Sequence, residues 1–183
     1  KKIASELRDT DKVDPRFYNS ATIMFGDFSG FTKLAEQMQP KSLIDLLHQY
    51  FSVFDNIVAK HNVEKLKTIG DAYMCAGGIP IENSTNPMNA CIAAIQIQDY
   101  MSKLKFDAIA NYKDYWEIRL GINTGPVTAG IIGDLKLAYD VWGSTVNEAQ
   151  QMEKLGKPGK VRKGRKGRKG GQLGEQSTGH NGF

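Results

Sequence analysis

The chain has 183 residues, 40% of them hydrophobic, with 24 Lys/Arg against 20 Asp/Glu for a formal net charge of +4; that is enough for one domain with a real core. No apolar run approaches the roughly 20 residues of a membrane span, and no secretory signal pattern opens the chain. Only Cys75 and Cys91 occur, which argues against a disulfide framework and fits a reducing, cytoplasmic setting.

Lys1 to Leu7 reads as the end of a helix, with Ile3 and Leu7 on one face, and residues 8–20 as a polar linker containing Pro15. A chain that enters in mid-pattern is expected to follow an upstream segment. Ile23 to Asp27 then predicts a strand that ends in a lone carboxylate, Asp27. Small Ser29-Gly30 follow, and from Phe31 the pattern turns helical, with Leu34, Ala35 and Met38 on one face. A strand, a tight turn and a helix start within ten residues aim free backbone N–H groups at one spot. Asp27 beside that spot suits a hard cation such as Mg²⁺ or Mn²⁺; it suits equally a helix cap.

Gln39-Pro40 predicts a second helix, on which Leu43, Leu46, Leu47, Tyr50, Phe51, Phe54, Ile57 and Val58 form an apolar stripe for a core or subunit contact. Val63 to Ile69 and Ala72 to Ala76 predict a hairpin turning at Gly70-Asp71. Asp71 is thus a second carboxylate at a strand tip, where it can share a metal with Asp27 or simply serve the turn. Lys67 lies within a strand, where alternation can turn its ammonium inward or to solvent. Ser84 to Pro87 starts a third helix carrying Met88, Cys91, Ala94, Ile95, Ile97 and Met101. Trp116 to Asn123 predicts a strand, turned at Thr124-Gly125-Pro126 and continued by Val127 to Ile132. Another turn over Asp134 to Leu137 precedes Ala138 to Trp142, and a short helix runs from Val146 to about Leu155. Interleaved strands and helices predict a layered α/β or α+β domain.

From Lys157 the character changes. Arg-Lys-Gly occurs three times from Arg162, and residues 154–183 hold nine Lys/Arg and one Glu, leaving 15 basic and 19 acidic residues in 1–153. Such a segment buries too little to offset its ordering entropy, so it is expected to be disordered alone. Its charge could attract nucleic acid, but with no interleaved aromatics to stack bases no specific nucleic-acid partner is expected.

Four stretches in this order resemble the class III nucleotidyl cyclases, the adenylate and guanylate cyclase catalytic domain: Phe25-Gly-Asp-Phe-Ser-Gly-Phe-Thr32, Lys67-Thr-Ile-Gly-Asp-Ala-Tyr-Met74, Arg119-Leu-Gly-Ile-Asn-Thr-Gly125 and Tyr139-Asp-Val-Trp-Gly-Ser-Thr-Val-Asn147. The resemblance implies an α+β fold with a ferredoxin-like βαββαβ core, its mostly antiparallel central sheet flanked by helices. It implies a catalytic domain over residues 20–156, between a helix end and linker (1–19) and a basic tail (157–183). It further implies conversion of ATP to 3′,5′-cyclic AMP and pyrophosphate by a head-to-tail homodimer with shared active sites, set in a longer protein with a sensor or membrane domain.

Carried over position by position, Asp27 and Asp71 match the aspartates that hold two Mg²⁺ or Mn²⁺ ions. The backbone of Phe28, Ser29, Gly30, Phe31 and Thr32 matches the phosphate-cradling turn, and Arg119 a basic residue on the triphosphate. Lys67 and Asp140 match the base-reading pair supplied by the partner chain; Lys at adenine N1 and Asp on the exocyclic amine fit ATP, whereas guanylate cyclases typically place Glu and Cys there. Asn147 matches the asparagine that orients the ribose. The resemblance breaks at Gln151, where the family usually has a transition-state arginine, and after about Gly159, where the Arg-Lys-Gly run replaces the family's C-terminal strands and phosphate-contacting lysine. Weak or absent turnover is therefore expected of this chain, whose catalytic set would be Asn147, Gln151 and Arg119; the alternatives are an inactive ATP-binding, dimerising module or a guanylate cyclase.

Overall fold

A computed structural model describes residues 14–133 and 138–164. The expectations for the first helix turns, for the turn at 134–137 and for the tail from 165 onward lie outside the described residues. In chain order the elements are β1 (Arg16–Ser29), α1 (Phe31–Ala35), α2 (Pro40–Lys60), β2 (Val63–Ile69), β3 (Ala72–Gly77), α3 (Asn86–Ala110), β4 (Glu117–Ile132), β5 (Ala138–Trp142), α4 (Ser144–Lys154) and β6 (Lys160–Lys163). The sheet order is β2-β3-β1-β4-β5. Every pairing on that path is antiparallel, and β6 pairs parallel to β4. Strands β1 to β4 with the intervening helices make the expected ferredoxin-like βαββαβ unit.

Alternation along the strands makes two apolar faces. On one, Met24 and Phe28 of β1, Tyr73 and Cys75 of β3, and Ile118, Leu120 and Ile122 of β4 pack against Tyr50, Phe54 and Val58 of α2 and Ala94, Ile97 and Met101 of α3. On the other, Ile23, Phe25, Met74, Ala76, Val127 and Ala129 gather with Val141 and with Ala149 of α4. Aromatic rings knit the first face beneath the β1 end: Phe28 lies 5.5 Å from Trp116, 5.6 Å from Tyr50 and 6.2 Å from Phe54 between centroids. Offset aromatic contacts of this kind add to the burial of each ring.

Three sequence expectations are corrected. Strand β1 begins at Arg16, inside the stretch read as linker. Strand β4 runs unbroken through Thr124-Gly125-Pro126. The reason is a bulge on its neighbour: Tyr18 pairs with Val127 and Ala21 with Gly125, so Asn19 and Ser20 together oppose Pro126. A proline without an N–H is tolerated where the ladder is already interrupted. Gly125 serves contact rather than turning, because a Cβ there would sit 2.6 Å from Thr145 Oγ1. Finally, Lys160–Lys163, read as part of the tail, is strand β6, with Arg119 paired to Lys160 and Gly121 to Arg162. The Gln98 amide of α3 donates to both Ile118 O (2.9 Å) and Lys160 O (3.2 Å), tying the new strand to the sheet.

Candidate functional site

The end of β1 brings the first group of predicted residues together. Antiparallel pairing sets Asp27 directly opposite Arg119, and Arg119 Nη2 donates to Asp27 Oδ2 at 2.5 Å. Asp71 reaches the same place from the β2–β3 turn, which closes at Gly70 with φ 62, a left-handed conformation that glycine accepts freely. Burial, then the charge of Asp27 and a hydrogen bond with it, hold the Asp71 carboxyl above its usual range. Asp27 and Asp71 thus bring two carboxyl groups to one place, a site whose charge a divalent cation would relieve. Among the described residues no cluster of three or more His, Cys, Asp or Glu is assembled. Two carboxylates completed by phosphate and water oxygens are the usual way Mg²⁺ is held, so the pair fits such an ion.

The turn from β1 into α1 keeps the predicted shape. Gly30 is the residue before α1, with φ 74, and nothing lies within 4 Å of the place a Cβ would take. Phe28 and Phe31 turn their rings inward, Phe28 onto the aromatic cluster and Phe31 onto Trp116 at 5.1 Å. Their side chains therefore anchor the turn, leaving its backbone, with half-buried Ser29 and exposed Thr32, toward solvent. No side chain caps α1, so Asp27 is not its cap.

The base-reading candidates form a second group. The β2–β3 register shifts between Lys65 and Lys67, and this bulge re-aims the strand. Lys65 Nζ reaches Asp55 Oδ2 of α2 at 2.9 Å, Leu66 packs on the opposite apolar face, and Lys67 Nζ donates to Asp140 Oδ2. The other Asp140 oxygen accepts Val141 N–H at 2.9 Å. The β2–β3 hairpin is braced from behind, where Tyr73 Oη donates to Asp55 Oδ1 at 2.7 Å.

Asn147 and Gln151 are both exposed, one turn apart on α4. They lie on the side of that helix away from its buried residues Thr145, Ala149 and Glu153. The structure thus joins Asp27, Asp71 and Arg119 in one cluster and Lys67 with Asp140 in another, while Asn147 and Gln151 point outward.

Sequence reasoning missed Glu153. It is 5% exposed, its Oε1 lies 3.0 Å from Arg119 Nε, and burial raises its carboxyl pKa, with Arg119 opposing the shift. A signal for it existed: Thr145, Ala149 and Glu153 recur at every fourth position, so an acid falls on the inward stripe of α4.

A model of the adenylate and guanylate cyclase catalytic domain matches residues 13–168. The receptor-type guanylate cyclase gcy-5 of Caenorhabditis elegans is 34% identical over 154 residues, which are 84% of this chain and 14% of that protein; the chain thus spans about a seventh of its curated relative. The adenylyl cyclase CyaB of P. aeruginosa is similar in structure, with TM-score 0.75 and 29% identity over 81% of this chain and 78% of that one. A dimeric guanylyl cyclase domain from the RhoGC fusion protein of the fungus Blastocladiella emersonii matches with TM-score 0.72 and 31% identity over 80% and 79%.

Proposed function

The chain belongs to the adenylate and guanylate cyclase catalytic-domain family, and from that premise we propose that it forms 3′,5′-cyclic AMP and pyrophosphate from ATP. The observation that carries the choice of base is the contact between Lys67 and Asp140. Adenine offers an acceptor at N1 and a donor amine beside it, matching an ammonium and a carboxylate. Guanine offers a protonated N1 and a carbonyl oxygen, so each contact would meet like polarity and leave buried polar groups unpaired. The likeness to guanylate cyclases concerns the scaffold, whereas the base is read by these two side chains.

Asp27 and Asp71 would hold two Mg²⁺ or Mn²⁺ ions, which when bound acidify the ribose 3′-hydroxyl and neutralise the phosphates. The backbone from Phe28 to Thr32 receives the phosphates, its close approach permitted by Gly30. Arg119 adds positive charge at the triphosphate. Lys67, Asp140 and the outward-facing Asn147 and Gln151 serve the site of a second, head-to-tail copy, Asn147 orienting the ribose. At Gln151 an amide stands where the family usually has a cation; a comparable arginine in phosphoryl transfer is worth on the order of 10³–10⁵ in rate. Turnover is accordingly slow.

The test is cyclic nucleotide production from ATP and from GTP, with Mg²⁺ and Mn²⁺ compared and protein concentration varied. Cyclic AMP rising with the square of protein concentration is expected. Cyclic GMP in its place overturns the base assignment. No product even from Gln151→Arg carrying a family-type C-terminus overturns the enzymatic reading. The uncharged, exposed Gln151 favours a second reading, an inactive ATP-binding module acting by dimerisation, which any turnover by the unaltered chain dismisses.

A further inference from the structure

Arg119 is shared between two acids that come from different parts of the fold. Its Nη2 sits on Asp27 at 2.5 Å and its Nε faces Glu153 at 3.0 Å. The second contact lacks hydrogen-bond alignment: Arg119 Nε and Glu153 Oε1 are both buried without a hydrogen-bond partner. A buried carboxylate with its cation in range but not yet bonded is poised, since a small turn of the guanidinium would complete the bond.

Glu153 is also placed there by construction. Arg119, Gly121, Asn123 and Gly125 alternate along the β4 face that meets α4. A Cβ on Gly121 would lie 2.0 Å from Glu153 N and 2.5 Å from Ala149 O, and one on Gly125 would meet Thr145. The helix backbone therefore rests directly on the strand. Asn123 Nδ2 donates to Glu148 Oε2 at 2.7 Å, fixing the register between Gly121 and Gly125. With helix and strand in contact, the Glu153 carboxylate is delivered beside the Arg119 guanidinium.

We propose that Glu153 is the positioning residue of Arg119, holding its Nε so that the outer guanidinium nitrogens can leave Asp27 for a nucleotide's phosphates when a divalent cation takes Asp27. The proposal rests on the cyclase reading for its ligand, and the linkage between the two residues stands apart from it. Without Glu153, Arg119 would be left with the metal-site acids, Asp27 in direct contact and Asp71 nearby, and would compete with the cation for them. With Glu153, the arginine keeps a buried anchor and Asp27 is released.

The test uses the full chain with Glu153→Gln, Arg119→Met and the double variant, and Glu153→Asp as the conservative rescue. Mn²⁺ binding is followed by electron paramagnetic resonance without nucleotide, and Mn²⁺-ATP and Mn²⁺-AMP binding by calorimetry. For Glu153→Gln the expected result is about a tenfold loss of ATP affinity, the worth of one charge-assisted contact, with AMP affinity within about twofold. Arg119→Met should lose as much, the double variant no more, and Glu153→Asp should recover part. Without nucleotide, Glu153→Gln should weaken Mn²⁺ binding and Arg119→Met should tighten it, with no effect of Glu153→Gln once Arg119 is gone.

Unchanged ATP affinity in Glu153→Gln, alongside a loss in Arg119→Met, overturns the proposal. Equal losses for ATP and AMP mark a general structural role and overturn it too, as does a Glu153→Gln effect on Mn²⁺ that persists in the Arg119→Met background. If the unaltered chain binds Mn²⁺ but no ATP, the cyclase reading falls, and the Mn²⁺ series alone then decides for or against the linkage.

Discussion

Single glycines on β4 and at the β1 end do opposite jobs, and substitution separates them. At Gly121 the atoms a Cβ would strike are backbone atoms of α4, the nearest at 2.0 Å. Helix and strand must part to admit it, so Gly121→Ala should cost about 3 kcal/mol or more, read as a lower denaturant midpoint. At Gly30 the space is open and only the left-handed φ of 74 resists. Gly30→Ala should therefore cost about 1–2 kcal/mol, yet impair nucleotide binding out of proportion if, as proposed, the phosphates enter that open space. Lys67 and Asp140 make the sharpest test of the base reading. Lys67→Glu with Asp140→Cys should move the ratio of kcat/KM values from ATP toward GTP, and an unmoved ratio would remove this pair from base recognition.

Elements place these residues, and two of them can be tested as units. The end of β1 is held by the ring cluster around Phe28, itself 2% exposed. Phe28→Ala should lower stability by about 3–5 kcal/mol and loosen Asp27 one residue away, seen as weaker Mn²⁺ binding in the variant that remains folded. Strand β6 is short and lies on β4 beside the site, with half-buried Val161 and outward Lys160, Arg162 and Lys163. Charges on an edge strand discourage further strand pairing. Ending the chain after Gly159 should remove the Lys160 carbonyl from Gln98 and lower the denaturant midpoint by the equivalent of about 2 kcal/mol, with more aggregation on heating.

At the scale of the whole molecule, the sheet core carries two acids kept neutral by burial. Cys75 is fully buried and Tyr73 is 1% exposed. Burial raises both pKa values, with the neighbouring Asp55 adding to each. Both groups have folded pKa values above their unfolded ones, about 8.5 for Cys and 10 for Tyr. Their contribution is thus complete below those values and declines as pH climbs past them, because only the unfolded chain can ionise. The melting temperature should fall steadily above about pH 9, and Tyr73→Phe should blunt the fall. Half-buried Cys91 should react with a thiol reagent in the native state while Cys75 reacts only on unfolding.

Much of this molecule could be read from residue order. Alternating and helical apolar spacing located the strands and helices, because burial of one face imposes that period. Turn chemistry located Asp71, and the strand-to-turn stretch located Asp27 with its open cradle. Local pattern misread Thr124-Gly125-Pro126 as a turn, because the bulge that accommodates Pro126 lies about 105 residues earlier on another strand. On α3 local pattern left the buried side open: Met88 and Ile95 are 64% and 55% exposed while small Ala90, Ala93 and Ala94 are buried, since that helix is apolar on both sides and only its neighbour chooses one. The contacts of Arg119 with Asp27 and Glu153 were decided by tertiary structure alone, as was the direct contact between Lys67 and Asp140, which motif resemblance had paired only in role. Each joins charges from strands or helices far apart in the chain, and strand register, one bulge and one glycine-lined contact bring them within reach.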